Sequence, residues 1–140
     1  MLDLVTTFYN ELWNKRDSKV ANEILHEHVN FRGSLGDSMV GREKVLDYVK
    51  RVTTSLDGYT CEILDIVVEN DKAAAIVQFH GTHVQEFMGH EPTGKKVQWL
   101  GTAFFNSTDG SLANIWVLGD LKGLEAELDK NRDLDRANSV

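Results

Sequence analysis

Cysteine is almost missing from this chain. Cys61 is the only one in 140 residues, so no disulfide can form within it and a packed core must carry the fold. Lying between Thr60 and Glu62 in a predicted strand, it reads as a small buried filler rather than a nucleophile. Basic charge is also short. Lys and Arg number 15 against 22 Asp and Glu, a formal net charge of −7, which argues against a nucleic-acid partner. No window approaches the roughly 18 apolar residues of a membrane helix. The opening residues, MLDLVTTFYNELW, carry acids where a secretory leader would carry a basic n-region. The expectation is a cytoplasmic protein with no membrane partner. The one proline, Pro92, sits in a glycine-bearing stretch at 87–95 (FMGHEPTGK) that reads as a loop over one end of a sheet. Gly94-Lys95 lacks the GxxxxGK[ST] pattern and strand-to-helix setting of a phosphate loop. His26 and His28, two apart, have no third ligand at a metal-like spacing, and neither a metal nor another cofactor is expected.

What is present suits one domain over 1–140, with its core at about 4–128 and a polar tail at 129–140 that frays or packs on a partner chain. Leu2 to Asn14 has apolar residues at 2, 5, 9 and 12, joined by Leu4, Phe8 and Trp13, which predicts a helix with a broad apolar face. Tyr9 and Trp13 on that face are candidates to line a pocket, with plain core packing as the alternative. Asp17 or Ser18 can cap a short second helix. Residues 26–36 read as a short strand running into a glycine loop; Arg32 within it points either to solvent or into a polar pocket. Gly41 to Leu56 predicts a third helix with Val45, Val49, Val52 and Leu56 as its seam. Tyr59 to Glu69 and Lys72 to Glu86 form an antiparallel hairpin turning at Asn70-Asp71. Val77, Phe79, Gly81 and His83 share one face of the second strand. His83 is a candidate catalytic or binding histidine, or one satisfied by neighbouring strand groups.

The centre of the chain's organisation is 95–120, KKVQWLGTAFFNSTDGSLANIWVLGD. Two runs of β-branched and aromatic residues flank an Asp-Gly turn, the strongest short-range hairpin signal. Asn114, Trp116, Leu118 and Asp120 share one face of the second strand. A three-residue Thr-Asp-Gly loop, the preferred reading, pairs Ser107 with Ser111 and brings Gln98, Leu100, Thr102, Phe104 and Asn106 to that face; a two-residue Asp-Gly turn would bring Trp99, Ala103 and Phe105 instead. An acid among apolar groups would have a raised pKa, as general acid–base work near neutral pH requires. Asp120 is equally placed to cap a closing helix over Leu121 to Leu128, where Leu121, Leu124 and Leu128 recur at helical spacing. The element order predicts an α+β fold: a curved antiparallel sheet forming a cone, with helices packed in its concave side.

Four stretches carry a family resemblance over about 8–128: FYNELWNKRD at Phe8 to Asp17, GTHVQEFMG with PTGKKV around His83 to Val97, Gly101 through Asp120, and GDLKGLEAEL after it. In this order they resemble the SnoaL-like polyketide cyclases of the NTF2-like (cystatin-like) superfamily. FRGSLG at Phe31 to Gly36 and WVLGD at Trp116 to Asp120 look like its ester cyclase branch. The resemblance implies cofactor-free acid–base chemistry, an aldol cyclisation, isomerisation or hydrolysis, on a small apolar carbonyl compound, with Asp120 facing the pocket as general acid/base. It makes His83 and Arg32 the remaining polar candidates, Arg32 as an anchor for an oxyanion or carboxylate, and Trp116 an aromatic wall beside Phe104, Asn114, Tyr9 and Trp13. This chain departs from the family at Asn106 and Asn114, where Arg and Glu are frequent, and at Phe31, where a histidine is usual. Two other readings compete: a non-catalytic domain that binds an apolar ligand, and a structural dimer module in which Asp120 is only a cap. A homodimer through the open sheet face is expected.

Overall fold

The computed structural model describes residues 1–138. Its N-terminal helix begins as α1, Leu2–Thr7, and widens into a π-helical turn over Phe8–Trp13. Val5, Phe8, Tyr9, Leu12 and Trp13 share the buried side, the i, i+3, i+4, i+7, i+8 spacing of an amphipathic helix. Asn14 then ties the helix end to the sheet. Its Nδ2 donates to the Cys61 carbonyl at 2.9 Å and its Oδ1 accepts from the Cys61 amide at 2.7 Å. Asp17 caps a short turn at Ser18–Val20 by accepting from the Lys19 amide, and α2 (Ala21–Ile24) leads into β1 (Leu25–Arg32). After β2 (Ser38–Val40), α3 (Arg42–Ser55) buries Val45, Tyr48, Val49 and Val52, three of the four predicted seam residues with one aromatic added; the fourth, Leu56, is buried but belongs to the strand that follows.

Four long strands follow: β3 (Leu56–Glu69), β4 (Lys72–His83), β5 (Lys96–Thr108) and β6 (Ser111–Gly119). The sheet runs β2-β1-β6-β5-β4-β3. It is antiparallel except where β1 lies parallel to β6, a pairing the sequence reading did not anticipate. Helix α4 (Leu121–Asn138) closes the chain. The expected fraying tail from 129 onward is helical to Asn138, with Asn131 buried; the last two tail residues lie outside the described range.

The β5–β6 hairpin corrects one expectation and keeps its consequence. Thr108 pairs with Ser111 across a two-residue turn, with Asp109 and Gly110 both at positive φ, 52° and 79°, the backbone of a type I′ turn. The preferred three-residue loop is therefore absent. A bulge at Ala113 then restores the register, so that Asn106 faces Asn114, Phe104 faces Trp116 and Thr102 faces Leu118. One extra residue on one strand shifts every later side chain by one face. Two local features thus cancel, and the predicted face-sharing stands.

That face is the outer one. Leu100, Phe104, Trp116 and Leu118 are each about half exposed (45–54%). The opposite face, with Val77, Phe79, Gly81 and His83 on β4, Val97, Trp99, Ala103 and Phe105 on β5, and Ile115 and Val117 on β6, is buried beneath α1, α3 and the π-turn. Glycine marks where packing is closest. A Cβ on Gly101 would lie 2.7 Å from the Phe79 ring, and one on Gly119 would lie 2.3 Å from the Ser34 carbonyl oxygen. Where β6 stops, α4 takes over the edge of β5. The Leu100 carbonyl accepts from the Asp120 amide, Glu127 Oε2 accepts from the Gln98 amide, and Asn131 Nδ2 donates to the Lys96 carbonyl, so the bare strand end is satisfied by a helix.

Candidate functional site

Ten of the twelve aromatic residues are buried, and they pack ring against ring through the core on the inner face of the sheet. Ring centroids run Tyr48–Trp13 at 5.9 Å, Trp13–Tyr59 at 5.3 Å, Tyr59–Trp99 at 6.1 Å, Trp99–Phe87 at 5.9 Å and Phe87–His83 at 6.1 Å. At the other end Phe31 meets Tyr48, and Phe8, Tyr9 and Phe105 pack edge to face. Within this apolar wall sit buried polar atoms without a well-formed hydrogen bond: Tyr9 Oη, Tyr48 Oη, Trp99 Nε1, and both ring nitrogens of His83; Ser34 and the Leu35 backbone lie near the Tyr48 hydroxyl, and the Gln85 and His90 backbones near the His83 ring. A buried donor or acceptor left without a partner costs about 1–3 kcal/mol, so such atoms ordinarily meet water or a ligand.

Their ionisation follows from burial. Desolvation pushes the Tyr48 phenol up to about 12, with the Leu35 backbone opposing it, and holds the Tyr9 and Tyr59 phenols well above their ordinary value. All three are neutral hydrogen-bonding groups at physiological pH. Desolvation lowers the pKa of His83 below 6.5, with the His90 backbone opposing the shift; the imidazole is therefore neutral near pH 7, with one nitrogen free to accept a proton. Burial also raises the Cys61 thiol, and it packs as the small filler expected.

The loop after β4 closes this end. His83 is pinned through its backbone, its amide donating to the Lys95 carbonyl and its carbonyl accepting from Gly94. Phe87 and His90 exchange backbone hydrogen bonds around a tight turn with Met88 and Gly89 at positive φ, 53° and 78°. That turn holds Phe87 against both His83 and Trp99.

The sequence-predicted residues divide between two faces. Tyr9, Trp13 and His83 are inside, exposed by no more than 4%. Arg32, Phe104, Asn114 and Trp116 are outside. The Arg32 guanidinium stacks over Trp116 at 5.1 Å and donates to the Val117 carbonyl. Asn114 Oδ1 accepts from Asn30 Nδ2. Arg32, Asn114 and Trp116 line a shallow outer groove of about 350 Å³. Asp120 is exposed at the start of α4, where Oδ1 accepts from the Gly123 amide at 3.0 Å. The desolvated, pocket-facing carboxylate expected from the resemblance is not its geometry, because the Asp120 face is the outer one and the following helix claims its side chain. The sequence reading missed Trp99, Tyr48 and Tyr59. Gly81, Gly101 and Gly119, which share the inner face, were the signal for that side, since a strand glycine marks close approach by another element.

The profile of the SnoaL-like polyketide cyclase family matches residues 3–128. No curated protein matches the chain by sequence. Among solved structures, TsrD from Streptomyces laurentii is similar at 25% identity, with 91% of this chain and 92% of that one covered and a TM-score of 0.79. IdmH from Streptomyces antibioticus, a proposed polyketide cyclase, is similar at 25% identity, 91% and 97% coverage and a TM-score of 0.79. An LEH-like epoxide hydrolase from Mycobacterium tuberculosis shares the fold at 13% identity, 92% and 89% coverage and a TM-score of 0.72.

Proposed function

Because the chain belongs to the SnoaL-like polyketide cyclase family, with the family's NTF2-like cone, we propose that the aromatic interior is its reaction site. The substrate class is a small apolar carbonyl compound, and the proton carrier is His83. The observation that carries this reading is the set of polar atoms on Tyr48, Trp99 and His83 that lack a well-formed hydrogen bond inside an otherwise apolar core. Tyr48 Oη and Trp99 Nε1 donate to carbonyl oxygens. Neutral His83 removes a proton α to a carbonyl, the resulting enolate attacks a second carbonyl of the same molecule, and the alkoxide so formed takes the proton back from the imidazolium. Isomerisation or hydrolysis would use the same proton carrier. No Asp or Glu is buried among the described residues, so this reading gives the acid–base role to His83 and leaves Asp120 the helix cap. The outer face, where Val67, Ala74, Phe104 and Trp116 stand side by side in register and Leu100 and Leu118 are also exposed, is proposed as the contact with a second copy of the chain.

A second reading, a binding domain without turnover, is favoured by the missing interior carboxylate. The deciding experiment follows conversion of aromatic diketones and lactones by the wild type, His83→Gln, Trp99→Phe and Asp120→Asn. The expected result is loss of turnover in His83→Gln with ligand affinity kept within a few-fold. Full activity in His83→Gln with loss in Asp120→Asn would return the role to the carboxylate. Saturable binding with the ligand recovered unchanged would establish the binding domain.

A further inference from the structure

On the other side of the Phe87 turn the 84–95 loop meets α4 at a cluster of ionisable groups that the interior chemistry leaves unused. We propose that His90, Glu125 and Asp129 form a binding site for a divalent transition-metal ion of the zinc type. His90 Nε2 stands 2.6 Å from Glu125 Oε1 and 3.8 Å from Asp129 Oδ1, and one ligand atom from each residue lies within 4.8 Å of the other two. Around a tetrahedral zinc with bonds of about 2.0–2.2 Å, ligand atoms stand about 3.3–3.6 Å apart. The His90–Asp129 separation is thus within a few tenths of an ångström of what an ion needs, and the His90–Glu125 contact must open by about one. Glu125 has the freedom for that, its side chain being 48% exposed.

The positions are set by the fold. Leu124 and Leu128 are buried, which fixes the rotation of α4. Glu125 and Asp129 each follow one of those anchors and, four residues apart, project together one turn above the other. His90 comes from a different element, its ring 11% exposed and carried by the turn whose backbone is closed on both sides by Phe87. An imidazole with two carboxylates suits zinc, cobalt or nickel, whereas calcium and magnesium take oxygen ligands alone. Three protein ligands leave a position for water. Arg132 Nη1 stands 3.3 Å from the same Asp129 Oδ1, so an ion bound through that oxygen competes with the exposed Arg132 pair, a solvent-screened contact that contributes little. An ion held here would staple the loop that bears Phe87 to the last helix.

The test is titration of the metal-free full chain with Zn²⁺ by calorimetry and with Co²⁺ by visible absorption. His90→Gln, Glu125→Gln and Asp129→Asn are compared with the wild type. A His26→Gln/His28→Gln double variant is the control, since those two rings, 6.0 Å apart on β1, are the other place a surface ion would settle. Circular dichroism verifies that each variant is folded; Asp129→Asn, at a half-buried position, keeps the test open if His90→Gln is not. The expected result is one equivalent bound, with affinity reduced more than about tenfold by each of the three substitutions and unchanged in the control. Absence of saturable uptake, wild-type affinity in any of the three substitutions that is folded, or loss confined to the His26/His28 variant would overturn the proposal and leave an ion pair only.

Discussion

Replacing Asp120 with alanine removes the hydrogen bond to the Gly123 amide and a negative charge from the N-terminus of α4. Loss of an N-cap costs about 1 kcal/mol, and loss of a carboxylate at the positive end of the helix dipole about 0.3–1 kcal/mol more. Asp120→Ala should therefore lower the unfolding free energy by about 1–2 kcal/mol. With a urea slope near 2 kcal/mol/M, that moves the midpoint down by about 0.5–1 M. Asp120→Asn keeps an acceptor in place and should lose only the dipole part. Gly123 makes the argument sharper. A Cβ there would lie 2.3 Å from Asp120 Oδ2 and 2.9 Å from Cγ, so the cap itself excludes the methyl group. Gly→Ala within a helix ordinarily gains about 0.8–1 kcal/mol. Gly123→Ala should be neutral or destabilising in the wild type and stabilising in the Asp120→Ala background, a coupling of about 1 kcal/mol or more in a double-mutant cycle. Urea unfolding of the four proteins measures it. If Asp120→Ala is as stable as the wild type or more so, or if the two substitutions add without coupling, Asp120 is not the cap described.

Two further outcomes can be measured on the same equipment. His83 has a folded-state pKa below the 6.5 of the unfolded chain. The unfolded state therefore binds the proton more readily, and the contribution of the neutral ring, complete above pH 6.5, is lost as pH falls below that value and levels off beneath the folded pKa. The wild type should lose stability from about pH 6.5 downward relative to His83→Gln; parallel curves would show that His83 does not titrate differently on folding. Met88 sits at φ 53° in the turn that holds Phe87, a left-handed conformation that costs an ordinary side chain about 1–2 kcal/mol. Met88→Asn should stabilise by about 0.5–1 kcal/mol, and a loss of stability would mean that the Met88 side chain does more than its 38% exposure suggests.

Much of the fold was legible because its periods are clean. Val45, Val49 and Val52 define α3, and the alternation of Val77, Phe79, Gly81 and His83 defines the inner face of β4. The polarity of the sheet was not. On β6, Trp116 and Leu118 are as apolar as Ile115 and Val117, so alternation tells two faces apart without saying which is inside. The resemblance drew the choice toward the face of Asp120, and with it Arg32, Phe104, Asn114 and Trp116. Side-chain size carries the missing information. The inner face of β4, β5 and β6 holds Gly81, Gly101, Ala103 and Gly119 because rings from neighbouring elements and the backbone at Ser34 press against it. The same parity places Trp99 inside. Strand β2 is three residues long, too short for a period to show. Helix α4 was cut short at Leu128 because its later residues are polar, although Asn131 is buried there to satisfy the edge of β5.

That last contact has a consequence for how the molecule is made. The first residues of β5 have β4 on one side and no strand on the other, where β6 has ended; Glu127 and Asn131 stand in for one. On the ribosome all six strands emerge before α4 does. During that interval the Lys96–Leu100 backbone is an open template for another chain, next to an apolar outer surface that attracts one. A chain truncated ahead of Glu127 would keep every strand of the sheet and lose the guard on its edge. Its failure would appear first as inclusion bodies in the expressing cell, not as a missing activity.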